Sequence, residues 1–279
     1  TILFSSMEIA LKTISDGFNP MQMNFIRFFI GALVLLPFAH RALKSRNIHL
    51  HLRDMKFFML TGFICVIVSM TFFQLAIVYC SASTVAILFS CNPVFVVPLA
   101  YFILKERISI LNILSIVISI FGIIFILNPF SLEVKNNHML GILFIMIAAI
   151  TFALYGVIGK TKSQKYGGIV TTAYSFLFGS MEMLALIILS HIGFISDMLN
   201  HVGLGIFAGI PIFQGITLHT LPTLLYVSIF VTGLGYTSYF LAMEETSAVT
   251  ASVVFFIKPA LAPILALILI NEVITLNTI

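Results

Sequence analysis

Residues 71–108, "TFFQLAIVYCSASTVAILFSCNPVFVVPLAYFILKERI", lie over residues 237–274, "TSYFLAMEETSAVTASVVFFIKPALAPILALILINEVI", without a gap. Twelve positions match, among them Thr71/Thr237, Ser81/Ser247, Ala82/Ala248, Thr84/Thr250, Phe89/Phe255, Pro93/Pro259 and Glu106/Glu272. Two apolar segments share leucines and alanines by chance. A common mid-segment proline, a Ser-Ala pair and an exit glutamate are not generic in that way, so the chain reads as two copies of one unit, and such repetition governs the choice of fold.

The solvent of this unit follows from composition. The chain of 279 residues is 60% apolar and 9% charged, with a mean hydropathy of +1.15; soluble domains hold roughly 45–50% apolar and 25% charged residues. Apolar runs long enough to cross a hydrocarbon core fall at 1–15, 21–40, 56–78, 83–104, 109–128, 139–160, 169–190, 221–243 and 247–270. Backbone inside lipid must satisfy its own hydrogen bonds, and no ten-residue alternating segments point to a barrel, so an all-α bundle is expected. The repeat sets the third span on the eighth and the fourth on the ninth. A unit of five spans has odd parity, so its second copy enters the membrane the other way up. The expected organisation is a ten-helix-type bundle of two inverted five-helix repeats, 1–135 and 136–279. Nine spans are visible; the partner of 109–128 would begin near residue 275, and no initiator methionine opens the chain, so a fragment is expected.

Charge orients the spans. With residue 1 inside, the inner loops hold Arg41, Lys44, Arg46, Arg53, Lys56, Lys105, Arg107, Lys160, Lys162 and Lys165, ten of the fourteen basic residues. The segment 202–218, "VGLGIFAGIPIFQGITL", is apolar but short, Gly-rich and interrupted by Pro211. It reads as an interfacial or re-entrant helix in preference to a further span.

The stretches "FNPMQMNFIRFFIGALVLLP" (18–37), "CNPVFVVPLAYFILKERIS" (91–109) and "IKPALAPILALILINEVIT" (257–275) resemble the ten-helix drug/metabolite transporters of the EamA type. The resemblance covers essentially the whole chain. It implies two inverted five-helix repeats around a central cavity and movement of small organic metabolites, often outward. Two positions depart from the family's habit: Phe4 stands where a tryptophan is common, and Lys258 where an acidic residue often precedes the proline.

Charges near the middle of a membrane helix usually face a partner or a water-filled cavity. Glu8, Lys12, Arg27, Glu182 and Lys258 are such charges. Ser5, Glu8, Lys12 and Ser15 share one helical face, read either as a cavity wall or as an i,i+4 ion pair between Glu8 and Lys12. Arg27 reads equally as a residue snorkelling to the outer headgroups. Ser228, Thr232, Tyr236 and Tyr239 form a neutral stripe, as do Thr151 and Tyr155, and Ser175 with Gly179 and Glu182. The tyrosines suit a metabolite pocket, since a ring stacks and a hydroxyl bonds; Gln74 and Asn92 are weaker candidates. Lys258 aligns with Asn92, each one residue before a matched proline. It meets either a substrate carboxylate, in a cavity lined by Tyr155, Tyr236 and Tyr239, or Glu8 or Glu182 as a conformational lock. The candidate substrate-binding set is therefore Glu8, Lys12, Gln74, Asn92, Tyr155, Glu182, Tyr236, Tyr239 and Lys258, with Pro93 and Pro259 as hinges.

The seven histidines lie in loops or at span ends, the three cysteines lack ligand spacing, and no phosphate-binding loop occurs. No catalytic residue, metal or other cofactor and no nucleic-acid partner is expected. The expectation is instead a multi-pass protein of the cell membrane, a bacterial inner or plasma membrane. It exports small metabolites such as amino acids by alternating access, with the bilayer as partner and protons as a candidate coupling ion. A membrane-embedded receptor or enzyme, or a channel, is the alternative.

Overall fold

A computed structural model of the chain describes residues 2–127 and 136–270. Among these residues every regular element is helical. In chain order they are α1 (Ile2–Ser5), α2 (Met7–Ile14), α3 (Pro20–Ser45), α4 (Leu52–Tyr79), α5 (Ala82–Leu104), α6 (Ile110–Leu127), α7 (Asn136–Tyr166), α8 (Gly168–Leu189), α9 (Gly193–His201), α10 (Leu221–Glu245) and α11 (Ala248–Leu269). Seven of them, α3, α4, α5, α7, α8, α10 and α11, are long and apolar enough to cross a membrane. The expected spans 1–15 and 109–128 are helical over α1–α2 and α6, but neither is among the seven.

Local chemistry sets the helix starts. Asn19 accepts from the Met21 amide at 2.8 Å, Gln22 Oε1 accepts from the Asn19 amide at 3.3 Å, and Pro20 fills the first helical position of α3. Ser81 accepts from the Thr84 amide at 3.1 Å to start α5, and Ser247 from the Thr250 amide at 2.9 Å to start α11. These two caps are matched positions of the aligned segments. Other boundaries recur at the same offset that carries Pro93 onto Pro259. A π-helical stretch, Phe63–Ser69 in α4 and Tyr226–Gly235 in α10, gives way to α-helix at Met70 and at Tyr236. Both following helices are interrupted, α5 at Ser90–Cys91 and α11 by the 3-10 stretch Val253–Ile257, and both resume at Asn92 and Lys258.

Contacts show which helix ends lie together. Arg46 pairs with Glu244 at 2.6 Å, Glu244 accepts from the Gly168 amide at 2.8 Å, Lys160 donates to the Thr246 carbonyl at 3.0 Å, and Lys162 lies 3.9 Å from Asp54. The ends of α3, α7 and α10 and the starts of α4, α8 and α11 thus share one basic end. The α4–α5 turn lies at the opposite end, where Lys12 of α2 donates to the carbonyls of Ile77 and Cys80 at 2.8 and 3.3 Å. The aligned segments therefore run in opposite directions through the bundle.

Without a hydrophobic force between helices in lipid, close packing holds the bundle, and small residues permit it. At the crossing of α4 and α8 a Cβ on Gly179 would sit 2.7 Å from the Gly62 carbonyl oxygen, and one on Gly62 would sit 2.6 Å from the Gly179 nitrogen. Thr61 and Ser175 share a hydroxyl hydrogen bond of 2.7 Å beside it.

The 202–218 segment is neither a span nor an interfacial helix. Apart from a 3-10 turn at Gly205–Phe207 it is irregular, and the helix of this region is α9, just before it. Its glycines explain the difference: Gly203, Gly209 and Gly215 all have positive φ, which breaks any regular run. The buried Gln22 holds the segment on α3, donating to the carbonyls of Ile212 and Gln214 at 2.9 and 2.6 Å, and Asn19 donates to that of Ile206 at 2.9 Å.

Candidate functional site

The interruption in α11 delivers Lys258 to the middle of the bundle. Lys258 is the first residue of the α-helix that resumes after the 3-10 stretch, and an ammonium fully buried there is disfavoured unless an anion meets it. Glu8 of α2 is that anion. Lys258 Nζ donates to Glu8 Oε1 at 2.5 Å, and both side chains are fully buried. Phe89 and Phe255, themselves a matched pair in the repeat, flank the ammonium at 5.1 and 5.9 Å from their ring centres.

Of the two readings of Lys258, the structure thus displays the ion pair with Glu8. The i,i+4 pair between Glu8 and Lys12 is not formed, because Lys12 reaches past its own helix to the last carbonyls of α4, where the helix dipole favours a cation. Asn92, the counterpart of Lys258, opens the resumed part of α5 and donates from Nδ2 to the Ala149 carbonyl of α7 at 3.0 Å. Pro93 and Pro259 each follow directly in the first turn, where a missing amide proton costs nothing.

Tyr155, Tyr236 and Tyr239 are all buried at the centre. Tyr236 is its hub, meeting the rings of Phe4, Phe28, Phe152 and Phe176 edge-on at 5.3, 5.9, 5.7 and 5.1 Å, with its hydroxyl on the Met70 sulfur at 3.2 Å. Tyr239 packs on Phe4, Phe152 and Phe255, and Tyr155 on Phe240. Phe4, where the resembled family commonly has tryptophan, also stacks on Phe255 at 5.5 Å. Gln74 is buried, with Oε1 lacking a hydrogen-bond partner. Glu182 is half-buried on α8, its Oε2 likewise without one. No contact brings it to Lys258 among the described residues.

Arg27 was open to a snorkelling reading, and the structure corrects it. The guanidinium is fully buried, over the Phe28 ring at 4.8 Å and 6.0 Å from that of Phe73. All three of its nitrogens lack a hydrogen-bond partner, as do both side-chain amide atoms of Asn24 one turn earlier. Sequence reasoning passed over Asn24 altogether, and over the aromatic shell of Phe28, Phe89, Phe152 and Phe176. In a chain this apolar, core and lipid-facing phenylalanines carry the same signal. A separate cavity of about 330 Å³ lies towards the opposite end between α3, α4, α8 and the 193–210 region, lined by Met21, Thr71, Met183, Leu199, Phe207 and Ile210 among others; none of the expected binding residues lines it.

The family described as the EamA-like transporter family matches residues 1–128 and 139–279. An uncharacterized transporter of Clostridium kluyveri is 39% identical over 283 residues, an alignment covering all of this chain and 85% of that protein. The S-adenosylmethionine uptake transporter of Rickettsia prowazekii is 26% identical over 63% of this chain and 58% of its own. A protein of known crystal structure superposes with a TM-score of 0.71 over 99% of this chain and 87% of that one at 14% identity, a likeness of fold.

Proposed function

The chain belongs to the EamA-like transporter family, and from that premise we propose that it is a secondary active exporter of small organic metabolites such as amino acids. In this reading it sits in the cell membrane and works by alternating access between two inverted five-helix repeats, 1–135 and 136–279. One observation carries the proposal: the matched segments break their helices at equivalent points, Asn92–Pro93 and Lys258–Pro259, while crossing the bundle in opposite directions. Discontinuous helices whose ends meet at mid-membrane are how inverted-repeat carriers hold a substrate and rock around it.

Glu8, Lys12, Gln74, Asn92, Tyr155, Glu182, Tyr236, Tyr239 and Lys258 make up the proposed binding region, with Pro93 and Pro259 as its hinges. Glu8, paired with Lys258, and Glu182, half-buried, are carboxyls placed to exchange a proton for substrate. The Rickettsia relative makes S-adenosylmethionine, itself an amino acid, one member of the substrate panel to be tried.

The deciding experiment is counterflow in proteoliposomes. Vesicles loaded with unlabelled substrate should transiently concentrate external label, which only an alternating carrier does. Equilibration without overshoot would indicate a channel, and no movement of any panel member would refute the transport reading.

A further inference from the structure

Three charges meet at the centre, one negative and two positive. Glu8 is paired with Lys258, and the charge of Arg27 lies near enough to act on it, though no ion pair joins Glu8 and Arg27 among the described residues. Its Oε1 is committed to Lys258, and its Oε2 has no hydrogen-bond partner. Arg27 is thus the cation without a dedicated counter-ion. Its face is covered by Phe28, but stacking on a ring uses the π surface and leaves the in-plane N–H donors free. Nε, Nη1 and Nη2 all remain unpaired, in a fully buried side chain. Asn24, one helical turn away on the same face of α3, adds a further donor and acceptor in the same condition. Buried polar groups are nearly always satisfied, and a cluster of unsatisfied ones with net positive charge calls for an anionic ligand.

We propose that Arg27, with Asn24, is the anion-recognition site of this transporter, taking the carboxylate of a small metabolite in the fork of its guanidinium. A carboxylate fits best because two parallel N–H···O bonds match its two oxygens, and because its single charge balances the single excess positive charge of the Glu8–Lys258–Arg27 group. The rings of Phe28, Phe73 and Tyr236 supply an apolar surface for the rest of the molecule. Lys258, within the same binding region, ties α2 to α11 through Glu8. The inference rests on the transport reading only in supposing that small molecules reach the centre.

The test is thermal stabilisation of the detergent-solubilised full chain by phenylacetate, isovalerate, L-methionine and succinate, each beside its primary amide, with phenyl phosphate as a second kind of oxyanion. At least one acid should raise the melting temperature where its amide does not. Arg27→Lys, which keeps the charge and loses the fork, should weaken that acid's apparent affinity tenfold or more, and Asn24→Leu should weaken it several-fold. Arg27→Met should abolish the effect; if it fails to elute as a single species, Arg27→Lys decides. Equal stabilisation by acid and amide, an unchanged response in Arg27→Lys, or no response to any acid would overturn the site. A stronger response to phenyl phosphate than to every carboxylate would overturn the carboxylate assignment. Acid-specific stabilisation without counterflow would leave this site standing and sink the transport reading.

Discussion

Glu106, just beyond the end of α5, caps Ala248 at the start of α11: its Oε1 accepts from the Ala248 amide at 3.0 Å and its Oε2 from that of Val249 at 3.4 Å. The chain leaves α5 through Lys105 in the left-handed conformation, φ 58°, which turns Glu106 back towards its partner helix. A carboxylate at a helix N-terminus satisfies otherwise unpaired amides and meets the positive end of the dipole. The contact therefore joins the two broken helices at the basic end, beside the Arg46–Glu244 pair.

Removing the Glu106 cap should be felt as a lost N-cap. Glu106→Ala is expected to lower unfolding stability by about 1–2 kcal/mol and Glu106→Gln by about half of that, since the amide still accepts one bond. Thermal melts in detergent measure this. Unchanged melting in both variants would show that α5 and α11 are not joined here in the purified protein.

The central ion pair makes a sharper prediction. Lys258→Met leaves Glu8 buried without its partner, a change that typically costs about 3–5 kcal/mol. The double variant Glu8→Gln/Lys258→Met replaces the pair with neutral groups and should recover most of that stability. Counterflow is expected to stay absent in both. Transport restored in the double variant would make the pair structural only; equal melting of single and double variants would refute the coupling itself.

How much of this was legible beforehand depended on whether a residue's partner was local. The aligned segments share their caps and break points, because those features follow from short-range chemistry that repeats with the sequence, whereas the π-helical stretches that precede both segments have no aligned residue in common and were not legible. The inward stripes of α10 and α2 were legible too, since polar spacing on a lipid-bound helix marks its buried face. Pairing between distant elements was legible only as a set of alternatives. The sequence offered Glu8 as a partner of Lys258 but could not choose between that pair, Glu182 and the local Glu8–Lys12 pair, and it gave no sign that Lys12 reaches the end of α4. Arg27 sits close enough to a helix start to suggest the headgroups, and only the packing of Phe28 and Phe73 around it reveals a buried cation. The 202–218 segment was misread because apolar composition was weighed above the backbone freedom of its glycines.

The α4–α8 crossing should tolerate no added side chain. A Cβ at Gly179 would also lie 2.7 Å from Val66 Cγ2, so neither neighbour has room to yield without a shift of a whole helix. Gly179→Ala is expected to destabilise by about 1–3 kcal/mol, the usual range for overpacking, and Gly179→Leu to prevent recovery of folded protein. Thermal melts and elution profiles are the measurements. A Gly179→Ala protein as stable as the parent would mean that the two helices stand further apart.

The paired breaks carry the last prediction. A proline in the first helical turn holds its residue in helical geometry but lacks the amide that would bond back into the preceding stretch, so Pro93 and Pro259 each withhold one hydrogen bond across the break. Alanine at either position supplies the missing amide and lets the helix close across the interruption. Pro93→Ala and Pro259→Ala should therefore each slow counterflow severalfold, with a modest fall in melting temperature that is larger for the buried Pro93 than for the half-buried Pro259. In a structure of the protein in a lipid bilayer, rotation about a two-fold axis in the membrane plane should lay 71–108 on 237–274 with the two prolines coincident. If only one proline matters to the rate, or if the prolines fail to coincide, the two repeats do not act as equivalent halves of one rocking mechanism.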